Sequence, residues 1–365
     1  MTRSARRSAR SGRSTTARAA RGASTASRRG RRSISARSSS AATRSSTPWS
    51  PTSASRASDQ LAGRPTDLTV ANWVDIGVIA VLNGLAIGLL LFVVAVGLSL
   101  VFGMMDVLNL AHGAVFVAGA YVAWWVVGGS PTWTGWLAAL GVALAVGALA
   151  GGGLLLMTGP LARRSHLEQA LLTLGVALVV AELLSLAFGE DVRSVSPPPG
   201  LGGTVSVLGN AYPAYRLLLI ALGAGLAVAA HVVVERTPLG ALVRATVADR
   251  DMVAAVGIDA RLVRAGVFVV GSMLATTAGV LGSPIYSPRP GLDSTILILA
   301  LVVVVIGGLG SVRGALVAAL LIGQIESTGR ALLSDLASFL LFGSLAIVLA
   351  LRPRGLFAGA IGGQH

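Results

Sequence analysis

Few polar residues in this chain have the spacing that chemistry needs. The first group is Asp106-Val107-Leu108-Asn109-Leu110-Ala111-His112-Gly113, followed by Gly119-Ala120-Tyr121. Asn109 and His112 stand three apart, so a helical segment would carry both on one face. Polar groups are costly in hydrocarbon, which predicts that this face looks into a bundle interior or onto the cytoplasmic boundary. Gly113 and Gly119 permit close helix approach or a local break. Two uses of the pair stay open: lining a polar path, or satisfying the backbone of a capped interfacial turn.

Catalytic constellations are not found. HExxH is absent, the four histidines (His112, His166, His231, His365) are scattered, and no paired acids share an intramembrane face. With no cysteine, thiolate nucleophiles, thiolate metal sites and disulfides are excluded. No metal and no resident cofactor are expected. Glu182 and Glu326 are the acids nearest mid-span. Glu182 suits either a coupling carboxylate or the outer interface, and Glu326, before Ser327 and Thr328, is expected to cap or end its helix.

A second group is Glu235-Arg236-Thr237-Pro238-Leu239-Gly240, then Arg244-Ala245, Asp249, Val253 and Gly257. Ala245, Asp249, Val253 and Gly257 recur every four residues, which predicts one stripe of short side chains along a short amphipathic helix. Such a stripe can seat in a groove on a partner. A third group, Gly307-Gly308-Leu309-Gly310-Ser311 with Gly314, Ala315 and Gly323, suits a sharp reversal between close-packed helices. It is no phosphate loop, because Walker A needs a lysine and every basic residue here is arginine.

The elements that must position these groups are transmembrane helices. The chain of 365 residues is 54% hydrophobic and 12% charged, with mean hydropathy +0.77, more apolar surface than one soluble core could bury. Apolar segments fall at 76–105, 113–128, 133–158, 167–188, 215–234, 265–285, 293–312, 314–328 and 333–351. The expected fold is all-α, a polytopic bundle of about eight spans, with one of nine segments re-entrant or broken between Gly97 and Gly128. Nine full crossings would leave the amino and carboxyl ends on opposite sides, which is why one is expected not to cross. Arginines at 163–164, in 235–264 and at 352 and 354 mark cytoplasmic loops, while 189–214, with Glu190, Asp191 and Pro197-Pro198-Pro199-Gly200, faces outward. Trp124, Trp125, Trp133 and Trp136 are expected in an interfacial belt.

The net charge of +14 is located in one place. Residues 1–64 hold 15 arginines and one acid, Asp59, so 15 − 1 accounts for all of it, and nucleic-acid binding by the rest is not expected. Residues 1–68 lack the large apolar side chains needed to offset ordering entropy and are expected to be a disordered tail. A gene-start artefact or passive tail, a basic arm and a transit peptide all fit it. No signal peptide is expected, and the first apolar segment should remain as an anchor of a transmembrane domain, 69–360.

Asn83-Gly-Leu-Ala-Ile-Gly88, Asn109-Leu-Ala-His-Gly113 and Gly119-Ala-Tyr121 together resemble the H-type permease subunit of branched-chain amino acid ABC importers. The resemblance spans residues 76–357. Glu235-Arg-Thr-Pro-Leu-Gly240 with Ala254-Ala-Val-Gly-Ile-Asp259 is similar to the family's coupling loop, Gly307 to Ala315 to its GGxGS-x-x-GA element, and Leu351-Arg-Pro-Arg-Gly-Leu356 to its terminus. The resemblance implies a multi-pass protein of the bacterial plasma (inner) membrane with no catalytic residue of its own. ATP would be bound by partner ATPase subunits. An M-type permease, an extracytoplasmic solute-binding protein and membrane lipid complete the partners. The substrate-path candidates are Asn83, Asn109, His112 and Gly113. Candidates for docking the ATPase are Glu235, Arg236, Gly240, Arg244, Ala245, Asp249, Val253 and Gly257, in a loop spanning 235–264. A related permease for urea or short amides, and a stand-alone secondary carrier, are the alternatives. Sparse intramembrane charge and the lack of an internal repeat argue against the carrier.

Overall fold

The computed structural model describes residues 70–105, 108–161, 165–332, 336–353 and 355–357. The basic tail 1–68, Asp106, Arg163, Arg164 and Arg354 lie outside them. The described residues fold as a polytopic bundle of α-helices. In chain order these are α1 (Val70–Met105), α2 (His112–Val127), α3 (Trp133–Thr158), α4 (His166–Phe188) and α5 (Ala214–Arg236). The short α6 (Pro238–Ala248) and α7 (Arg250–Ala255) follow, then α8 (Ala260–Gly282), α9 (Leu292–Gly307), α10 (Val312–Leu332) and α11 (Ala337–Leu351). Between α4 and α5 stands an antiparallel hairpin, β1 (Thr204–Val207) and β2 (Asn210–Pro213), which pairs Thr204 with Pro213 and Val207 with Asn210.

Each of the nine apolar segments read from the sequence is a helix. Six of them, α1, α3, α4, α5, α8 and α10, are long and apolar enough to cross a membrane. α2 and α9, at 16 residues each, cover about 24 Å at 1.5 Å per residue, less than a hydrocarbon core of about 30 Å. Local chemistry explains several starts. Thr132 Oγ1 accepts from Gly135 N (3.0 Å) at α3, Ser165 Oγ from Glu168 N (3.3 Å) at α4, and Asp259 Oδ1 from Arg261 N (2.8 Å) at α8.

Glycine decides which helices meet in the interior, since apolar side chains gain nothing by leaving lipid for protein. A Cβ on Gly97 of α1 would lie 2.8 Å from Gly271 O of α8, and one on Gly88 would lie 2.8 Å from Ala319 O of α10. On α3, Gly147 and Gly151, one helical turn apart, lie against Met273 and Val269 of α8. Thr276 Oγ1 adds a hydrogen bond from α8 to Ala143 O of α3 (2.8 Å). α1 is consequently the central helix.

The two ends of the bundle differ. At one, Gly103 of α1 meets Gly310 and the side chain of Val247, and Leu356 N donates to Ile306 O (2.8 Å). That end gathers the arginine-bearing 235–264 segment and Arg352. At the other, Gly77 and Val78 adjoin Val207 and Leu208 of the hairpin, and Gln324 Nε2 donates to Val81 O (2.9 Å). The described chain therefore begins its first span at the hairpin end and finishes at the opposite one. The expected placing of both chain ends on one side does not hold for these residues.

The aromatic belt is only partly as expected. Trp125 and Trp133 are exposed, whereas Trp136 is buried and packs on Tyr215 with ring centres 5.9 Å apart. Trp124 meets Phe188 edge-on and carries the Arg193 guanidinium 4.8 Å above its ring.

Candidate functional site

The segment joining α1 to α2 re-enters the bundle. His112 Nε2 bonds Val94 O at 2.9 Å, and Val94 stands eleven residues, about 16 Å, before the end of α1. The non-helical backbone at this depth is satisfied by protein. Leu110 N donates to Thr173 Oγ1 (3.2 Å), which donates to Leu108 O (3.2 Å). Ala111 N donates to Asn109 Oδ1 (3.2 Å), and His112 N to Asn109 O (3.3 Å). Irregular backbone within a membrane is tolerated only when served in this way.

Asn109 and His112 do not share a helical face as the spacing predicted, because the turn ends where α2 begins, at His112. They are nevertheless adjacent and almost wholly buried, at 2% and 1% exposure. A carbonyl can only accept, so His112 carries its proton on Nε2 and leaves Nδ1 as an acceptor. Among the described residues, His112 Nδ1 and Asn109 Nδ2 have no hydrogen-bond partner, an acceptor and a donor in one buried turn. Gly113 packs against the first two turns of α9, at the Asp293 backbone and Leu297, whose Cβ a Cβ on Gly113 would approach to 2.9 Å. Asn83 lies elsewhere. Its Oδ1 accepts from Arg216 of α5 near the hairpin end, and eleven residues of α1, about 16 Å, separate it from Val94.

Glu326 does not cap its helix. α10 continues to Leu332, and the buried carboxylate takes Arg330 Nη2 at 2.6 Å one turn later. The buried Tyr286 hydroxyl stands beside this carboxylate and interacts with it. Glu182 is exposed on the outer half of α4.

The 235–264 segment forms two short helices rather than one. Thr237 Oγ1 accepts from Gly240 N (3.2 Å), and Pro238 stands at the first helical position, where a missing N–H costs nothing. Gly240 is buried against the carbonyls of Val233 and Val234, with no room for a side chain. Arg244 donates to Val234 O, and Glu235 pairs with Arg313 Nη2 at 3.2 Å.

Asp249 then leaves the helix, with φ −155° and ψ 101°, and its Oδ1 accepts from Asp251 N (3.0 Å) and Met252 N (2.9 Å) as the N-cap of α7. Gly257, at φ 85°, closes α7: its N donates to Ala254 O (3.0 Å) and Ile258 N to Val253 O (3.3 Å), a Schellman motif. The continuous stripe expected at Ala245, Asp249, Val253 and Gly257 is thus broken by the cap, and only Val253 of the four is buried. Sequence reasoning missed Leu239, Met252, Val256 and Leu262, apolar side chains that stand exposed on this segment and its flank. The Asp249 cap and the Gly257 stop were the signals that could have divided the segment.

The glycine turn is the reversal its composition indicates. Gly308 and Gly310 adopt φ 97° and 75°, and Ser311 Oγ accepts from Gly314 N at 3.0 Å to start α10. After Pro353, Leu356 and Phe357 return to donate to Ile306 O (2.8 Å) and Gly307 O (3.2 Å), occupying carbonyls that the end of α9 would otherwise leave open.

Relatives share this span. The chain is 28% identical over 288 residues to the high-affinity branched-chain amino acid transport system permease protein BraD of Pseudomonas aeruginosa, a match covering 75% of this chain and 93% of the relative. It is 27% identical over 296 residues to the corresponding permease protein LivH of Escherichia coli K12, with the same two coverages. A probable branched-chain amino acid transport permease protein LivH of Methanocaldococcus jannaschii is 28% identical over 297 residues, 76% of this chain and 90% of the relative. No solved structure gives a significant match. Residues 80–350, holding the re-entrant turn, the two-helix segment and the glycine reversal, match the family described as branched-chain amino acid transport system, permease component, and the chain belongs to that family.

Proposed function

We propose that this chain forms part of the membrane path of an ATP-driven importer for branched-chain amino acids, in the bacterial plasma membrane. The observation that carries the reading is the family match across residues 80–350. Support comes from the end of the bundle that gathers α6, α7 and the glycine turn. There, capped and stopped helices hold exposed apolar side chains, Met252, Val256 and Leu262 among them, where a cytoplasmic ATPase subunit would dock. The candidates Glu235, Arg236, Gly240, Arg244, Ala245, Asp249, Val253 and Gly257 serve this segment in different ways. Gly240, Asp249 and Gly257 shape it, Glu235 and Arg244 tie it to the bundle, and exposed Arg236 and Ala245 remain open to contact.

The importer would work by biasing a path between outward-open and inward-open states, with free energy entering through this segment. A second, M-type permease would complete the path, and an extracytoplasmic binding protein would deliver the solute. Asn109, His112 and Gly113 would form the polar turn bordering that path at mid-depth, and Asn83 would belong to its outer end. The re-entrant 108–111 turn and the short α2 make the broken element of the bundle.

The test is ATP-dependent uptake by the complete complex in proteoliposomes, with the binding protein outside. Labelled leucine is expected to enter and labelled urea to be excluded. Leucine entry without ATPase subunits would replace the reading by a stand-alone carrier, and urea entry without leucine by a urea permease.

A further inference from the structure

Between α2, the outer half of α4 and the first turn of α9 lies a cavity of about 170 Å³. Three ionisable side chains line it: Glu182 of α4, Arg289 just before α9, and Asp293 in the first turn of α9. Among the described residues none of the three makes an ion pair or a side-chain hydrogen bond. Charges beside hydrocarbon are expensive unless paired or put to use. Here both signs meet at one cleft, with Glu182 and Arg289 exposed and Asp293 half-buried.

Apart from Ser185 and the Tyr121 hydroxyl, the rest of the wall is apolar. Val117 and Leu178 line it, and Tyr121, whose ring stacks on Phe188 with centres 4.8 Å apart, adds an aromatic surface. Ala114, one residue after Gly113, also borders it, so the cavity adjoins the re-entrant turn.

We infer that this cavity is a binding station for a zwitterionic α-amino acid with an apolar side chain. The Arg289 guanidinium offers paired donors to an α-carboxylate, a geometry an arginine fork suits. Glu182 and Asp293 accept from the α-ammonium, and Val117, Leu178 and Tyr121 receive the side chain. The volume suits a single amino acid and falls below the roughly 300 Å³ at which pockets for larger ligands begin. A neutral amide such as urea would leave the three charges uncompensated, so the station discriminates by head group as well as by side chain. The inference rests on the permease reading and adds to it a site inside the membrane domain, separate from the binding protein.

The experiment uses the complete complex in proteoliposomes, with leucine uptake and binding-protein-stimulated ATP hydrolysis measured together. Arg289→Gln and Glu182→Gln are each expected to lower leucine uptake at least tenfold while stimulated hydrolysis stays within twofold of wild type. Arg289→Lys, which keeps the charge but not the fork, should recover part of the uptake, and it carries the test with Glu182→Gln if Arg289→Gln fails to assemble. Saturation-transfer NMR on the detergent-solubilised complex without its binding protein should detect L-leucine, and detect leucinamide and 4-methylpentanoate, each lacking one charge, far more weakly. Variant uptake at the wild-type rate, uptake and hydrolysis falling in proportion, or equal signals from the three probes would overturn the station. A wild-type complex that hydrolyses ATP but imports no leucine would instead overturn the permease reading.

Discussion

α1 and α4 are both apolar helices of spanning length, with mean hydropathy 2.9 and 2.3 over their best windows, yet 78% of that window is buried in α1 and 11% in α4. Hydropathy does not separate a helix in the middle of a bundle from one on its rim, because lipid and protein interior are equally apolar. Glycine does. On α1, Gly84, Gly88, Gly97 and Gly103 each lie against a neighbouring helix or turn, while Gly175 of α4 has nothing near its missing Cβ. Inside a membrane, then, the residue that removes a side chain says more about position than the residues that supply one.

That contrast breaks most sharply at Gly97. A valine there would drive its Cβ to 2.9 Å from Gly271 Cα, against backbone that cannot swing aside. Gly97→Val should cost about 3 kcal/mol or more. The measurement is the fraction of monodisperse protein after detergent extraction, expected to collapse. Next comes Thr276→Val, which keeps shape but deletes the bond to Ala143 O that joins α8 to α3. A loss of about 0.6 to 1.7 kcal/mol, read as a fall in thermal midpoint, is expected.

Asp249→Ala removes the cap of α7 at a cost of about 1 kcal/mol. The thermal midpoint of the bundle should hardly move, while leucine uptake falls as the segment frays and presents Met252 and Val256 poorly. Wild-type uptake would mean that α7 does not dock a partner. The smallest effect belongs to α4. Gly175→Leu meets open space and should stay within about 0.5 kcal/mol of wild type. A large loss in the isolated subunit would erase the distinction between the two helices.

Much of this was legible in the residues. The nine apolar segments, the re-entry near Asn109 and the glycine reversal follow from hydrophobicity, interruption and composition, signals that act within a few residues. The broken stripe was legible too, since Asp249 and Gly257 bracket a six-residue helix in the language of caps. Four-residue spacing concealed it by suggesting one unbroken helix. What could not be read was pairing at a distance: Asn83 with Arg216, Glu326 beside Tyr286, or three charges from two separate stretches around one cavity. Such neighbours are set by the rotation of each helix, which the small residues determine collectively.

The return of Leu356 and Phe357 to the end of α9 bears on biosynthesis. Ile306 leaves the ribosome fifty residues (356 − 306) before the amide that completes it. During that interval the α9–α10 corner has carbonyls open at one face of the membrane, and α11 must be inserted before they are covered. That corner is therefore clasped by residues made only after α11, acting on a turn threaded much earlier. A nascent chain stalled before Gly355 would hold its spans but leave that corner open, a difference that surveillance of newly made membrane proteins could detect.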